Sequence, residues 1–192
     1  MKKLLNPFVY LSGEKTLAAG MLGALVTLLA ARWGGVTFRG VISSGYGALT
    51  LGQLTLQLLA GWVLFAVLLY AASLFWSTSK VRAVDLFGNQ LFARIAFLPM
   101  TLVAALPPMR RLADELLAVA PLELNVASLN LPLLLCMALV ALLSVVWFFA
   151  WSWQGFSVAA NLRGGKAVAI FVGCYLLAEL AAGWCTATIA GM

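Results

Sequence analysis

Apolar runs and short charged clusters alternate along this chain. Uncharged stretches cover 16–31, 40–79, 95–109 and 124–162, and Glu179 is the one charge after Lys166. A helix needs about 20 predominantly apolar residues to cross a bilayer. The first stretch reaches that length if Arg32 snorkels and the helix continues through Trp33 toward Phe38, giving a predicted span over 16–36. The second opens with Gly40, Ser43, Ser44, Gly45 and Gly47, which read as a loop or surface-lying connection. A second span then follows over 51–76, closed by an interfacial belt of Tyr70, Phe75 and Trp76. The third is short. It becomes a span over 88–108 only with Arg94 snorkelling or paired, and Pro99 should kink it. A re-entrant segment is the competing reading. Two clear spans close the pattern, over 131–153 and 167–189.

Composition fits this reading. The 192 residues are 64% apolar and 9% charged, against about 45–50% and 25% in an average soluble domain. The expected fold is all-α: one polytopic transmembrane domain over 1–192, a bundle of five helices with a kinked or short third. Lys2 and Lys3 resemble the start of a secretory leader, but Asn6, Pro7, Gly13, Glu14 and Lys15 interrupt before an apolar core forms. The first span is therefore expected to be retained.

Charge sets an orientation. The N-terminal segment (Lys2, Lys3, Lys15), the 2–3 loop (Lys80, Arg82, Arg94) and the 4–5 loop (Arg163, Lys166) place eight cations on one side. The 1–2 connection (Arg32, Arg39) and the 3–4 loop (Arg110, Arg111) place four on the other. The positive-inside rule then puts the N-terminus in the cytoplasm and the C-terminus outside. The net charge of +6 reads as a topology signal and a handle for anionic headgroups. No basic cluster interleaved with aromatics suggests a nucleic-acid partner.

Catalytic chemistry is poorly provided for. Histidine is absent, and the six acids (Glu14, Asp85, Asp114, Glu115, Glu123, Glu179) form no DxxD or ExxE pair. No phosphate-binding or dinucleotide-binding glycine motif occurs, so no cofactor and no metal site is expected. Cys136, Cys174 and Cys185 lie in apolar runs without CxxC spacing and read as small buried hydrophobes.

Four features call for an explanation. Glu179 falls near the middle of the fifth span, where a carboxylate costs about 2.5–3.5 kcal/mol. It should face the bundle and find Gln53 or Gln57, four apart on span two, or an arginine such as Arg94. Either a proton or ion relay or a helix-binding structural role would place it there. Small residues four apart, Ala19/Gly23 and Gly20/Ala24 on span one and Ala178/Ala182 on span five, permit close helix contact. Leu112, Leu116 and Val119, with Arg110, Arg111, Asp114 and Glu115 opposite, predict an amphipathic turn or two ended by Pro121, either lying on the outer leaflet surface or, the leading reading, capping the bundle as a helical loop. Last, the loop 77–94 is the most polar stretch. Its Lys80, Arg82, Asp85 and Arg94, with Arg163 and Lys166, are the expected contacts for a partner or lipid headgroups, and Asp85 can pair with Arg82 three residues earlier.

The order of features resembles the Yip1 family of five-span membrane proteins in its short prokaryotic form. Asn6-Pro7-Phe8 opens a brief N-terminal segment. Arg94, Ala96 and Leu98-Pro99 resemble the family's third helix, and the run from Trp147 to Phe156 through Asn161-Leu162-Arg163 and Lys166-Ala167 resembles its 4–5 connection. The resemblance implies a five-helix fold, a cytoplasmic N-terminus, a bacterial inner membrane and a non-enzymatic role. Asp85-Leu86-Phe87-Gly88-Asn89 is similar in spelling to the Asp-Leu-Tyr-Gly-Pro motif of eukaryotic members. It lies between spans two and three, however, so that motif's role does not transfer.

The leading expectation is a scaffold or adaptor in membrane organisation, contacting the lipid bilayer and a second copy or a membrane-protein partner. A small transporter or channel using Glu179, Gln53, Gln57 and the Pro99 kink is the alternative. An intramembrane lipid enzyme has the least support, since it would lack a histidine and paired carboxylates.

Overall fold

The computed structural model describes residues 7–9, 13–77, 79–118 and 130–191. Lys2, Lys3, Asn6, Val119, Pro121 and Glu123, which entered the readings above, lie outside the described residues. In chain order the elements are α1 (Glu14–Gly34), strands β1 (Val36–Phe38) and β2 (Ser44–Tyr46), α2 (Leu51–Trp76), α3 (Ala83–Ala93), α4 (Leu98–Ala104), α5 (Pro107–Ala118), α6 (Leu131–Ala160) and α7 (Gly164–Ala190). A 3-10 turn, Arg94–Phe97, joins α3 to α4. Counting 83–104 as one composite span, five helical segments among the described residues are long and apolar enough to cross a membrane. The chain is an integral membrane protein with an all-α bundle.

Local chemistry sets the ends. Gly35 adopts φ 66° and donates its amide to the Ala31 carbonyl, so α1 stops at Gly34 and does not continue toward Phe38. Thr50 and Gln53 form a reciprocal capping box at the start of α2. α6 runs past the expected boundary at 153 to Ala160, where Asn161 turns left-handed at φ 50°. Trp153 therefore lies inside the helix, and its ring packs 5.5 Å from Phe171.

The third span begins at Ala83 and ends at Ala104, earlier at both ends than expected, because Pro107-Pro108 opens α5 instead of closing the span. Pro99 lies in the first turn of α4. There its missing amide removes no helical bond, and the backbone break falls one turn earlier, in the 3-10 segment.

This span is long and apolar enough to cross a membrane and lies parallel to α1. A Cβ on Gly88 would come within 3.0 Å of the Leu17 amide nitrogen, one on Gly20 within 2.9 Å of the Phe92 amide nitrogen, and one on Gly34 within 2.9 Å of the Ala104 carbonyl carbon. The residue offset between partners stays near 70 along both helices, so they travel together over the whole length of α1. The re-entrant alternative for this segment is thereby replaced. Of the small-residue pairs, Gly20 and Ala24 are buried on α1, and Ala178 and Ala182 are buried on α7.

Antiparallel partners flank this pair. α6 meets the third span through Asn89 Nδ2 donating to the Gly155 carbonyl (3.0 Å), Gln90 Nε2 to the Ser152 carbonyl (3.1 Å), and stacked Phe97 and Phe148 rings 5.1 Å apart. α2 meets α7 most extensively, with Gln53 Nε2 facing the Ile189 carbonyl at one end and Cys174 Sγ facing the Leu68 carbonyl deeper in. Leu139, Leu142 and Leu143 on α6 and Leu176, Leu177, Leu180 and Trp184 on α7 remain exposed, as a lipid-facing surface requires. The three cysteines are free, and none is buried as expected from sequence: Cys136 is exposed and Cys174 and Cys185 are half-buried. α5 buries Met109, Leu112 and Ala113 and turns Arg110, Arg111, Asp114 and Glu115 outward, the amphipathic arrangement expected.

The close α1–third-span contact leaves no room for a larger side chain. Gly20→Val should lower thermal stability in detergent by about 1–3 kcal/mol. Gly173→Val, where no atom lies within 4 Å of the added Cβ, should change it little. Melting curves of the two purified variants check this contrast.

Candidate functional site

The Gly- and Ser-rich stretch after α1 is not a surface connection. Val36-Thr37-Phe38 and Ser44-Gly45-Tyr46 pair as an antiparallel hairpin, in register Val36↔Tyr46, Thr37↔Gly45 and Phe38↔Ser44. The Arg39 amide donates to the Ser43 carbonyl at 2.8 Å and closes the tip. All three β1 residues are buried, as are Gly40 and Val41. Hydrophobic Val36, Phe38 and Val41 drive the strand inward between the helices.

The tip reaches mid-membrane. Its Gly40 carbonyl abuts Gly61, ten residues into α2, and its backbone abuts Glu179, eleven residues before the end of α7. At 1.5 Å per residue both positions lie about 15–17 Å from the hairpin end of the bundle, near the middle of a hydrocarbon layer about 30 Å thick. Non-helical backbone is tolerated at this depth only where the protein satisfies its polar groups.

Glu179 supplies what the tip lacks. Its Oε2 accepts from the Val41 amide (2.7 Å) and the Ile42 amide (3.1 Å). Its Oε1 accepts from the Ser43 amide (3.2 Å) and from the Ser43 hydroxyl. Three successive N–H groups thus converge on one carboxylate, forming an anion-binding concavity in the backbone. A Cβ on Gly40 would come within 2.7 Å of the Glu179 carboxyl carbon, so only glycine admits this approach.

Gln57 satisfies the strand above the tip. Its Oε1 accepts from the Phe38 amide (3.1 Å), and its Nε2 faces the Thr186 carbonyl at 3.5 Å. Thr186 Oγ1 in turn donates to the Arg39 carbonyl at 2.7 Å. Gln53 stays at the helix end, shared between the Thr50 cap and Ile189. Neither glutamine is hydrogen-bonded to Glu179, contrary to the pairing considered from sequence; the tip amides occupy its acceptor positions.

Arg94 is a correction. Expected as a cytoplasmic contact, it is only 2% exposed and sits in the 3-10 break of the third span, eleven residues after Ala83. Its charge interacts with that of Glu179, and its Nη2 lies 2.8 Å from where a Gly61 Cβ would be. Neither Nη1 nor Nη2 has a hydrogen-bond partner among the described residues. The guanidinium therefore acts on Glu179 through space, across the glycine-lined tip. Together the two charges leave this depth formally neutral.

The remaining predicted contacts meet at the opposite end of the bundle. Lys80, Arg82 and Arg163 are exposed on the α2–α3 and α6–α7 connections and Lys166 in the first turn of α7, and Ser77 Oγ ties the two connections by donating to the Ala160 carbonyl at 2.7 Å. Asp85 lies 3.9 Å from Arg82. On the hairpin side, a hollow of about 370 Å³ opens between the hairpin, α2 and α7, lined in part by Arg39, Tyr46, Gln57 and Thr186. Burial raises the pKa of the Tyr46 phenol, which favours its neutral form beside Arg39.

Sequence reasoning missed Gly40, Val41, Ile42, Ser43, Gly61 and Thr186 as one unit. The short β-branched and aromatic run Val36-Thr37-Phe38, followed by Val41-Ile42, was the available strand signal. No family model, curated protein or solved structure matches the chain.

Removing the carboxylate strands three amides and the Arg94 charge. Glu179→Ala should cost about 1–3 kcal/mol of stability, the range for leaving hydrogen-bond donors inside the protein without their acceptor. Glu179→Gln, which retains one acceptor oxygen, should cost less. A Val41→Cys reporter, inaccessible in the parent, should react with a water-soluble maleimide only when combined with Glu179→Ala.

Proposed function

We propose that this chain is a non-enzymatic membrane scaffold or adaptor of the Yip1-like type, placed in a bacterial inner membrane with the Lys80/Arg163 end in the cytoplasm. The observation carrying this reading is the commitment of Glu179. Its oxygens are taken by three amides and a hydroxyl, so this acid at mid-depth serves as an internal clasp. A relay carboxylate needs an oxygen free to exchange a proton, whereas a clasp gives a rigid body on which partners assemble.

The basic end supports the same reading. Lys80, Arg82 and Arg163 on two tied connections, with Lys166 in the first turn of α7, offer one cationic face to anionic headgroups or to an acidic segment of a membrane partner or second copy. The resemblance in Asn6-Pro7-Phe8, Leu98-Pro99 and Asn161-Leu162-Arg163 belongs to this proposal as well.

The hollow over Gln57 and Thr186 favours a second reading, a small transporter or channel whose path ends at the hairpin tip.

Reconstitution separates the two. Proteoliposomes should show no proton or cation flux above protein-free vesicles, and Glu179→Gln should leave that unchanged. Photo-crosslinkers at positions 80 and 163 should capture a discrete partner or a second copy in cells, and Lys80→Glu with Arg163→Glu should abolish it. Flux that disappears in Glu179→Gln would establish transport instead. Absence of any crosslinked species, with liposome shape unaltered by the protein, would remove the scaffold reading.

A further inference from the structure

The hairpin end of the bundle carries cations that the topology leaves unexplained. Arg32 belongs to the last turn of α1, and Arg110 to the first turns of α5. Although they are far apart in sequence, both line one hollow of about 350 Å³, whose other walls are Leu29 and Trp33. The same two arginines and Trp33 also border an adjoining hollow of about 160 Å³ that reaches Asp114 and Leu117.

Neither guanidinium has a hydrogen bond or an ion pair among the described residues, and Asp114 forms no ion pair with either. Two like charges facing one cavity repel unless an anion sits between them. Guanidinium groups present planar forks of donors that match phosphate oxygens two at a time.

The walls describe the rest of the ligand. Trp33 is 70% exposed at the end of a spanning helix, where indole rings sit at headgroup level. Leu29, one turn deeper on α1, is 52% exposed and continues as a lipid-facing row through Leu25 and Leu22. A ligand filling this site has a phosphate at its top and an acyl chain running down α1.

We propose that Arg32 and Arg110 form a binding site for the phosphodiester of an anionic phospholipid, with Trp33 flanking the headgroup and Leu29 the upper acyl chain. The site is separate from the Glu179 clasp and from the basic end, and it holds in either orientation of the protein.

The test uses the full chain released from micelles into native mass spectrometry after exposure to phosphatidylglycerol or phosphatidylcholine. The parent should retain phosphatidylglycerol in preference to phosphatidylcholine. Arg32→Gln with Arg110→Gln should reduce retention by at least about tenfold, since each cation near a surface contributes a comparable increment. Arg111→Gln, on the same helix but outside both hollows, should retain lipid as the parent does. Melting curves matching the parent confirm that the double variant is folded; if it is not, Arg32→Lys, which keeps the charge but loses the fork, should show a partial loss. Equal retention in the double variant, or no preference for phosphatidylglycerol, overturns the proposal. Displacement of the lipid by inorganic phosphate at equal concentration would assign the site to a soluble anion and overturn it too.

Discussion

A single carboxylate facing three backbone amides makes the rest of this architecture workable. In a hydrocarbon layer an unpaired N–H costs several kcal/mol, which is why spanning segments are helices or closed barrels. The hairpin between α1 and α2 departs from that rule, carrying extended backbone to mid-depth. Glu179 compensates by accepting from Val41, Ile42 and Ser43 at once. Such charge-assisted bonds are worth about 1.5–3 kcal/mol each, more than neutral ones. The helix pairings then follow. α7 must lie against α2 to present the acid, Gly61 must be bare to admit the tip, and the third span must break to bring Arg94 alongside.

Polar groups elsewhere in the bundle obey the same logic. Asn89 and Gln90 on α3 spend their amide nitrogens on the Gly155 and Ser152 carbonyls of α6. Gln57 bridges the Phe38 amide and Thr186. Each attaches an element distant in sequence to a neighbour, so the intramembrane polar residues act as cross-ties among helices whose apolar faces lack directional preference. Aromatic packing of Phe65, Phe148, Phe156 and Phe171 fills the volume between these ties.

Much of the scaffold is legible in the chain because charges punctuate it. Five spans follow from the spacing of Lys and Arg, and the second coincides with its helix at Leu51–Trp76. Ends slipped where one glycine or asparagine decided them, as at Gly35 and Asn161. Arg94 was misplaced for a clear reason: its neighbours Lys80, Arg82, Asp85, Asn89 and Gln90 make the segment look like a loop, and only the contact with α6 reveals that two of them are buried. The hairpin was the least legible feature. Three-residue strands carry little periodic signal, and a Gly- and Ser-rich turn reads alike whether it meets water or a carboxylate 136 to 138 residues away.

That separation gives the fold a temporal character. The hairpin follows the first span, whereas its acceptor arrives on the last. While the ribosome is still producing spans two to four, the amides of Val41, Ile42 and Ser43 have no intramembrane acceptor from α7 and must be held by water or remain near the surface. Only with α7 in place do these three amides have the acceptor they hold in the finished fold. The polar closure of the hairpin thus waits on the last helix of the chain, and a chain ending before Gly164 lacks the carboxylate that these amides meet.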